Sequence, residues 1–338
     1  MAENSISRSL SRREFARKSL IAAAGIGTIS VAGYGFYNKK KLRSLNNLLR
    51  MGHCAPSVMQ TLTDLDDIDS SDLVLYAGAM AGGIAGSDME CGALTAPLMF
   101  MSSRTTDSAT IEEKLRLISI SQAYYKEFTK YNNAFACRII QGNGISSCIK
   151  AVCGVHQLRA TAISDPGEMS AEKKEALSLL MHEFDNHSFH CSQNVLKNLS
   201  EKITLTKELL QASWIFTGGI AMMNRTCGAL AGGVMALSAA TARMEHDYSR
   251  VARMTWLLMH NKSDEAMKEE VNNFNRSIRL SEELGTWFRN KFGSTNCNRI
   301  WGYDFAKTRD VENFINGSCV KHCKIIAEKV AEKVALMI

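Results

Sequence analysis

Cys54, Cys91, Cys137, Cys148, Cys153, Cys191, Cys227, Cys297, Cys319 and Cys323 are the residues of this 338-residue chain best suited to chemistry. A thiolate attacks disulfides and binds soft metals, so ten of them raise redox, metal-binding and cross-linking roles together. Spacing narrows the choice. Zinc ribbons favour tight Cys-x₂₋₄-Cys pairs, and here only Cys148-x₄-Cys153 and Cys319-x₃-Cys323 come near that pattern. No Cys-x-x-Cys dithiol is present, and no Cys-x-x-Cys-His, which excludes covalent c-type haem. Four cysteines far apart in sequence, brought together from the ends of several helices, suit a buried iron–sulfur cluster or a set of disulfides.

The cysteines follow a repeat. His53-Cys54 opens a ten-residue stretch matching the one opened by His190-Cys191 at four positions. The window 82–99 matches 218–235 at nine of eighteen positions without a gap, and it includes Cys91-Gly92-Ala93-Leu94 and Cys227-Gly228-Ala229-Leu230. Phe128 to Cys137 parallels Phe288 to Cys297, and Ser147-Cys148 parallels Ser318-Cys319. Each copy ends with one more cysteine, Cys153 or Cys323, so the ten divide five and five. The second copy carries 24 extra residues between its second and third cysteines. Such self-similarity denotes two copies of one structural unit.

The elements holding these cysteines read as helices. Cys54, Val58 and Leu62, like Cys191, Val195 and Leu199, recur at the spacing of one helical face. Each first cysteine therefore stands near a helix start, where backbone N–H groups favour a thiolate. Three prolines in the whole chain leave room for long helices. The expected fold is all-α: two tandem helical-bundle modules related by a pseudo-twofold axis. Ser164-Asp165-Pro166-Gly167 is a turn sequence and Ser170 a helix N-cap, which sets the modules at 46–166 and 167–338. The Gly/Ala-rich run after Cys227 either packs helices tightly or lets a cofactor approach the backbone. Met99 and Met235 read as core.

The N-terminus, 1–45, is different in kind. Residues 1–50 hold ten Lys/Arg against two acids, whereas the remainder holds 30 against 32, so the net charge of +6 is a terminal feature. The body therefore offers no electrostatic footprint for nucleic acid. Ser11-Arg12-Arg13-Glu14-Phe15-Ala16-Arg17, followed by a weakly apolar stretch to Asn38, resembles a twin-arginine export signal, with Arg17 where Lys is usual. The resemblance implies passage through the twin-arginine translocase as a folded protein to the periplasmic side. There the stretch is either cleaved or kept as a membrane anchor.

The cysteine pattern resembles the redox-active family named for its C…GCAxxG…C…C motif, in two copies over residues ~50–335. The resemblance places the first motif cysteine on Cys54 and Cys191 and the second on Cys91 and Cys227. It places the third on Cys137 and Cys297, and the fourth on Cys148 and Cys319 or on Cys153 and Cys323. The first copy departs from the pattern: it has Thr95-Ala96-Pro97 where glycine is usual, and it lacks the Phe292-Gly293 of the second. The second module is thus expected to hold the more competent centre, on Cys191, Cys227, Cys297 and Cys319, with Cys323 as substitute ligand.

Three functions are consistent with these residues. One is an exported redox or electron-transfer protein with an iron–sulfur or other metal centre, working with a redox partner protein or a membrane electron carrier. Another is an exported binding or structural protein stapled by disulfides. The third is an enzyme whose metal acts on a small substrate. His53 and His190 are candidate accessory groups, as ligands or as donors to the adjacent cysteine. No phosphate loop, nucleophile elbow or metalloprotease motif occurs.

Overall fold

The computed structural model describes residues 39–86, 88–105, 109–243, 248–260 and 262–338. The twin-arginine element, with Arg12 and Arg13, lies outside them. Within them the chain is helical without a strand. Its only β-pairings there are two isolated bridges, Glu90 with Ala136 and Thr226 with Asn296.

In the first module α1 spans Lys39–Met51, α2 Cys54–Leu65, α3 Ser71–Ala77 and α4 Gly92–Ser103. They are followed by α5 Ile111–Asn132, α6 Cys137–Gly142 and α7 Ile145–Ser164. The boundary expected at residue 45 falls inside α1, which buries Ser44, Asn47 and Met51 against the body. Asn47 Nδ2 donates to Thr61 Oγ1 (3.1 Å) and Asp64 Oδ2 (3.0 Å), which fastens α1 to α2.

The second module repeats the order with α8 Ala171–Asn186, α9 Cys191–Asn198, α10 Lys207–Trp214 and α11 Gly228–Thr241. Ser170 caps α8 by accepting from Lys173 N–H (3.3 Å). The 24-residue insertion builds α12 Tyr248–Met259 and α13 Ser263–Ala266, whose Met254, Leu257 and Ala266 form a small core of their own with Val271. Then come α14 Asn275–Phe292, α15 Cys297–Trp301, α16 Thr308–Asn316 and α17 Cys319–Ala335.

The modules share one hydrophobic core, which runs from Met51 to Val334. Their contact is reciprocal. α3 packs on α11 and its counterpart α10 packs on α4. That exchange is the mark of an isologous, twofold-like interface. Polar links stitch it: Ser238 Oγ donates to Leu75 O (2.6 Å) and accepts from Ala79 N–H (2.9 Å). Gln122 Nε2 donates to Ala221 O (2.8 Å), and Ser281 Oγ to Ala79 O (3.2 Å). Each long helix, α5 or α14, thus lies over the glycine loop of the other module.

Candidate redox centres

The first three cysteines of each module stand at helix starts. Cys54, Cys137, Cys191 and Cys297 are first residues of α2, α6, α9 and α15, while Cys91 and Cys227 are the N-caps of α4 and α11. The isolated bridges bring the second and third together. Cys91 N–H donates to Phe135 O (2.8 Å) and Cys137 N–H to Met89 O (2.9 Å). In the second module Cys227 N–H donates to Thr295 O (2.8 Å) and Cys297 N–H to Arg225 O (2.7 Å). The first cysteine is brought in by glycine. A Cβ on Gly92 would lie 2.9 Å from Cys54 Sγ, and one on Gly228 would lie 3.0 Å from Cys191 Cβ. The third is seated likewise, at 3.2 Å from a Cβ built on Gly83 (Cys137) and 2.8 Å from one on Gly219 (Cys297). The glycines of the motif are therefore spaces that cysteines and backbone fill. Those beyond Cys227 serve helix packing: Gly232 meets the backbone of Ser192, and Gly233 meets Val330 and Leu284.

The thiols interact within each module. In the first, contact with Cys91 leads, ahead of burial, in pushing Cys54 well above the usual thiol range. Contact with Cys137 is the main cause that lifts Cys91 to about 12. Burial, and then the charge of Cys54, raises Cys148 to about 12. Cys153 stands apart, its Sγ 3.9 Å from Lys41 O, raised by burial and touched by no other cysteine.

In the second module Cys191, Cys227, Cys297 and Cys323 are all buried. The Cys323 thiol holds Cys191 below the usual range, helped by the N–H groups of Gly218 and Cys191 and opposed by burial. Cys323 is pushed far up, by Cys191 first, then by burial and the charges of Cys297 and Cys227. Burial and the charge of Cys191 raise Cys227 to about 12, with the N–H groups of Ala229 and Leu230 acting against them. Burial, Cys227 and Cys191 raise Cys297 well above its ordinary value. Burial alone lifts Cys319, which no other cysteine reaches. Of the two cysteines on α17 it is Cys323, not the expected Cys319, that interacts with Cys191, as Cys148 does with Cys54 in the first module.

The accessory histidines differ. His53 Nε2 bonds Asn275 Oδ1 (2.8 Å), and because Asn275 Nδ2 donates to Ala266 O and Lys268 O, the imidazole N–H is the donor. Burial brings His53 down to about 4, so it is neutral. His190 Nε2 instead pairs with Asp185 Oδ1 (3.2 Å), and its Nδ1 is buried without a partner. The imidazoles thus bond to Asn275 and Asp185 respectively.

Glu90, Thr226, Asp185 and Asn275 were not apparent as site residues in the sequence. Glu90 and Thr226 occupy matching positions just before the second cysteines, but their types differ, so the repeat hides them.

A family model described as "Putative redox-active protein (C_GCAxxG_C_C)" matches residues 52–180 and again 189–337. The chain belongs to this family. It carries the family domain twice, in an all-α body, as the repeat implies. Comparison with curated proteins and with solved structures finds no match.

The donor set tests what these centres suit. The interacting groups of each module are thiols, and backbone N–H groups reach Cys54, Cys91, Cys191 and Cys227; an all-thiol donor set of this kind would suit an iron–sulfur cluster. Among the described residues no group of three or more His, Cys, Asp or Glu is arranged to hold a metal ion. No described helix is long and apolar enough to cross a membrane.

Proposed function

We propose that this protein is an exported electron-transfer protein with one four-cysteine centre per module, on Cys54, Cys91, Cys137 and Cys148 and on Cys191, Cys227, Cys297 and Cys323. The reading rests on one observation: in each module four cysteines come from four separate helices, three of them at helix N-termini, and their thiols interact. Those cysteines would hold an iron–sulfur cluster, which supplies one-electron chemistry when bound. The protein's part is to bury the sulfurs, fix them by glycine contacts and N–H groups, and exclude water. The second centre is the stronger of the two, since all four of its cysteines are buried whereas Cys54 and Cys148 are partly exposed. Electrons would pass to a redox partner protein or a membrane carrier.

One observation favours a second reading. The Cys191 sulfur, favoured as thiolate, interacts with the Cys323 thiol, which is the pairing a reversible dithiol needs. Anaerobic purification of the full chain separates the two. Iron with acid-labile sulfide and a visible band that bleaches on reduction supports the cluster. Colourless, iron-free protein whose free thiols fall in pairs on oxidation refutes it in favour of the dithiol.

Export is proposed from Arg12 and Arg13 ahead of a weakly apolar run. Replacing both with lysine should strand the protein in the cytoplasm; normal export of that variant would remove the proposal.

A further inference from the structure

A cavity of about 350 Å³ opens beside the second centre, at the seam of the two modules. Lys114 on α5 comes from the first module. Asp185, His190, Lys197 and Trp214 come from the second. No cysteine lines it. Its volume lies at the lower end for small-molecule sites, which suits a metabolite rather than a macromolecule.

The charges in its wall are unequal. Lys114 and Lys197 supply two ammonium groups, and Asp185 is the one carboxylate of the lining. That carboxylate is already engaged, by Lys114 Nζ at 3.4 Å and by His190 Nε2 at 3.2 Å. Its charge is therefore spent on the wall, and the cavity keeps a cationic surplus. The Trp214 ring, 6.4 Å from the His190 imidazole between centroids, adds an apolar side. The first module builds no such place at the equivalent histidine, where Asn275 bonds His53 and the Phe274 ring stands edge-on to it at 6.3 Å. The cavity is thus a property of the second module's surroundings rather than of the repeat.

We propose that this cavity binds a small organic or inorganic anion, carboxylate- or phosphate-bearing, with Lys114 and Lys197 as its charge partners and His190 and Trp214 as its wall. The proposal does not depend on which redox chemistry the cysteines perform. α9, which begins at Cys191 and carries Lys197, links the bound anion to the second centre.

Isothermal titration of the full chain with citrate and, separately, with inorganic phosphate tests it, and the tighter probe shows which chemistry the site prefers. One saturable site per chain is expected, with a shift of the Trp214 indole N–H resonance that is absent in Trp214→Phe. Lys197→Glu, at an exposed position, should weaken binding at least tenfold, as should Lys114→Met combined with Lys197→Met. Cys323→Ser should leave binding within twofold, so that failure of the redox reading leaves this result intact. No saturable heat from either probe, or equal affinity in Lys197→Glu, overturns the proposal.

Discussion

Thr226 Oγ1 donates a 2.6 Å hydrogen bond to Glu90 Oε2, and both side chains are buried. The two residues are counterparts in the repeat, each one peptide bond ahead of the second cysteine of its module. The bond therefore crosses the reciprocal interface and ties the backbone before Cys91 to the backbone before Cys227. Tyr125 OH, at 3.4 Å, is the other donor to the Glu90 carboxyl. Arg225 lies over the rings of Tyr125 and Phe135, at 5.4 and 5.1 Å.

A buried carboxyl that loses its best donor retains its desolvation cost. Thr226→Val keeps the shape and removes the hydroxyl, so it should destabilise the fold by about 1–3 kcal/mol. Thr226→Ser should restore most of that. Urea denaturation of the three proteins is the measurement, and equal midpoints for Val and Thr would show that the bond contributes nothing.

Cys323 and Cys319 lie one turn apart on α17, yet only Cys323 interacts with Cys191. Cys323→Ser should abolish the redox signal of the second module and return Cys191 towards an ordinary thiol. Cys319→Ser should leave that signal unchanged. The same contrast is expected in the first module, with Cys148→Ser damaging and Cys153→Ser mild. Voltammetry of each variant, with circular dichroism to confirm folding, decides the pairing.

That contrast shows where the sequence stops being informative. The four-residue resemblance of Ser147-Cys148-Ile149-Lys150 to Ser318-Cys319-Val320-Lys321 aligns Cys148 with Cys319. The helices that carry them start at different points: α7 begins at Ile145 and α17 at Cys319. Cys148 is then in the first turn of its helix, and the sulfur with the matching role in α17 is one turn further on. Which thiol enters a centre depends on helix phase, and local identity does not report phase. The helix starts at Cys54 and Cys191 were legible because Val58, Leu62, Val195 and Leu199 show the buried face directly. The partners of His53 and His190 were not, since Asn275 lies 222 residues from His53 and arrives only through tertiary packing.

The motif glycines make a sharper prediction. A Cβ on Gly228 would collide with the carbonyl oxygen of Phe216 and press on Cys191 Cβ at 3.0 Å. Neither neighbour yields easily, one being backbone and the other a residue of the centre. Gly228→Ala should cost about 1–3 kcal/mol by overpacking and displace the first cysteine from the second centre. Gly142 meets nothing within 4 Å, so Gly142→Ala should fold normally and serves as control. Thermal melts and the redox signal of the two variants should diverge; a Gly228→Ala protein with the wild-type melt and potential would show that the glycine is dispensable.

His53 sets a pH limit on the fold. In the native protein burial lowers it from 6.5 to about 4, against the opposing hydrogen bond it donates to Asn275. The unfolded chain takes up the proton first as pH falls, so the neutral histidine's contribution is intact above pH 6.5. It is lost progressively as pH drops through that value towards 4, and no further below it. The full difference corresponds to about 3 kcal/mol, reduced to roughly 2 kcal/mol by the partial exposure of the ring. Gln in place of His53 keeps a donor for Asn275 and cannot titrate. Wild type and His53→Gln should therefore differ in stability by a constant amount from pH 8 to pH 7. Below that the wild type should lose roughly 2 kcal/mol relative to the variant by pH 4. Urea denaturation across that range supplies the two curves. Parallel curves would mean that His53 is as free to protonate in the fold as in the unfolded chain, and its burial would then not hold it neutral.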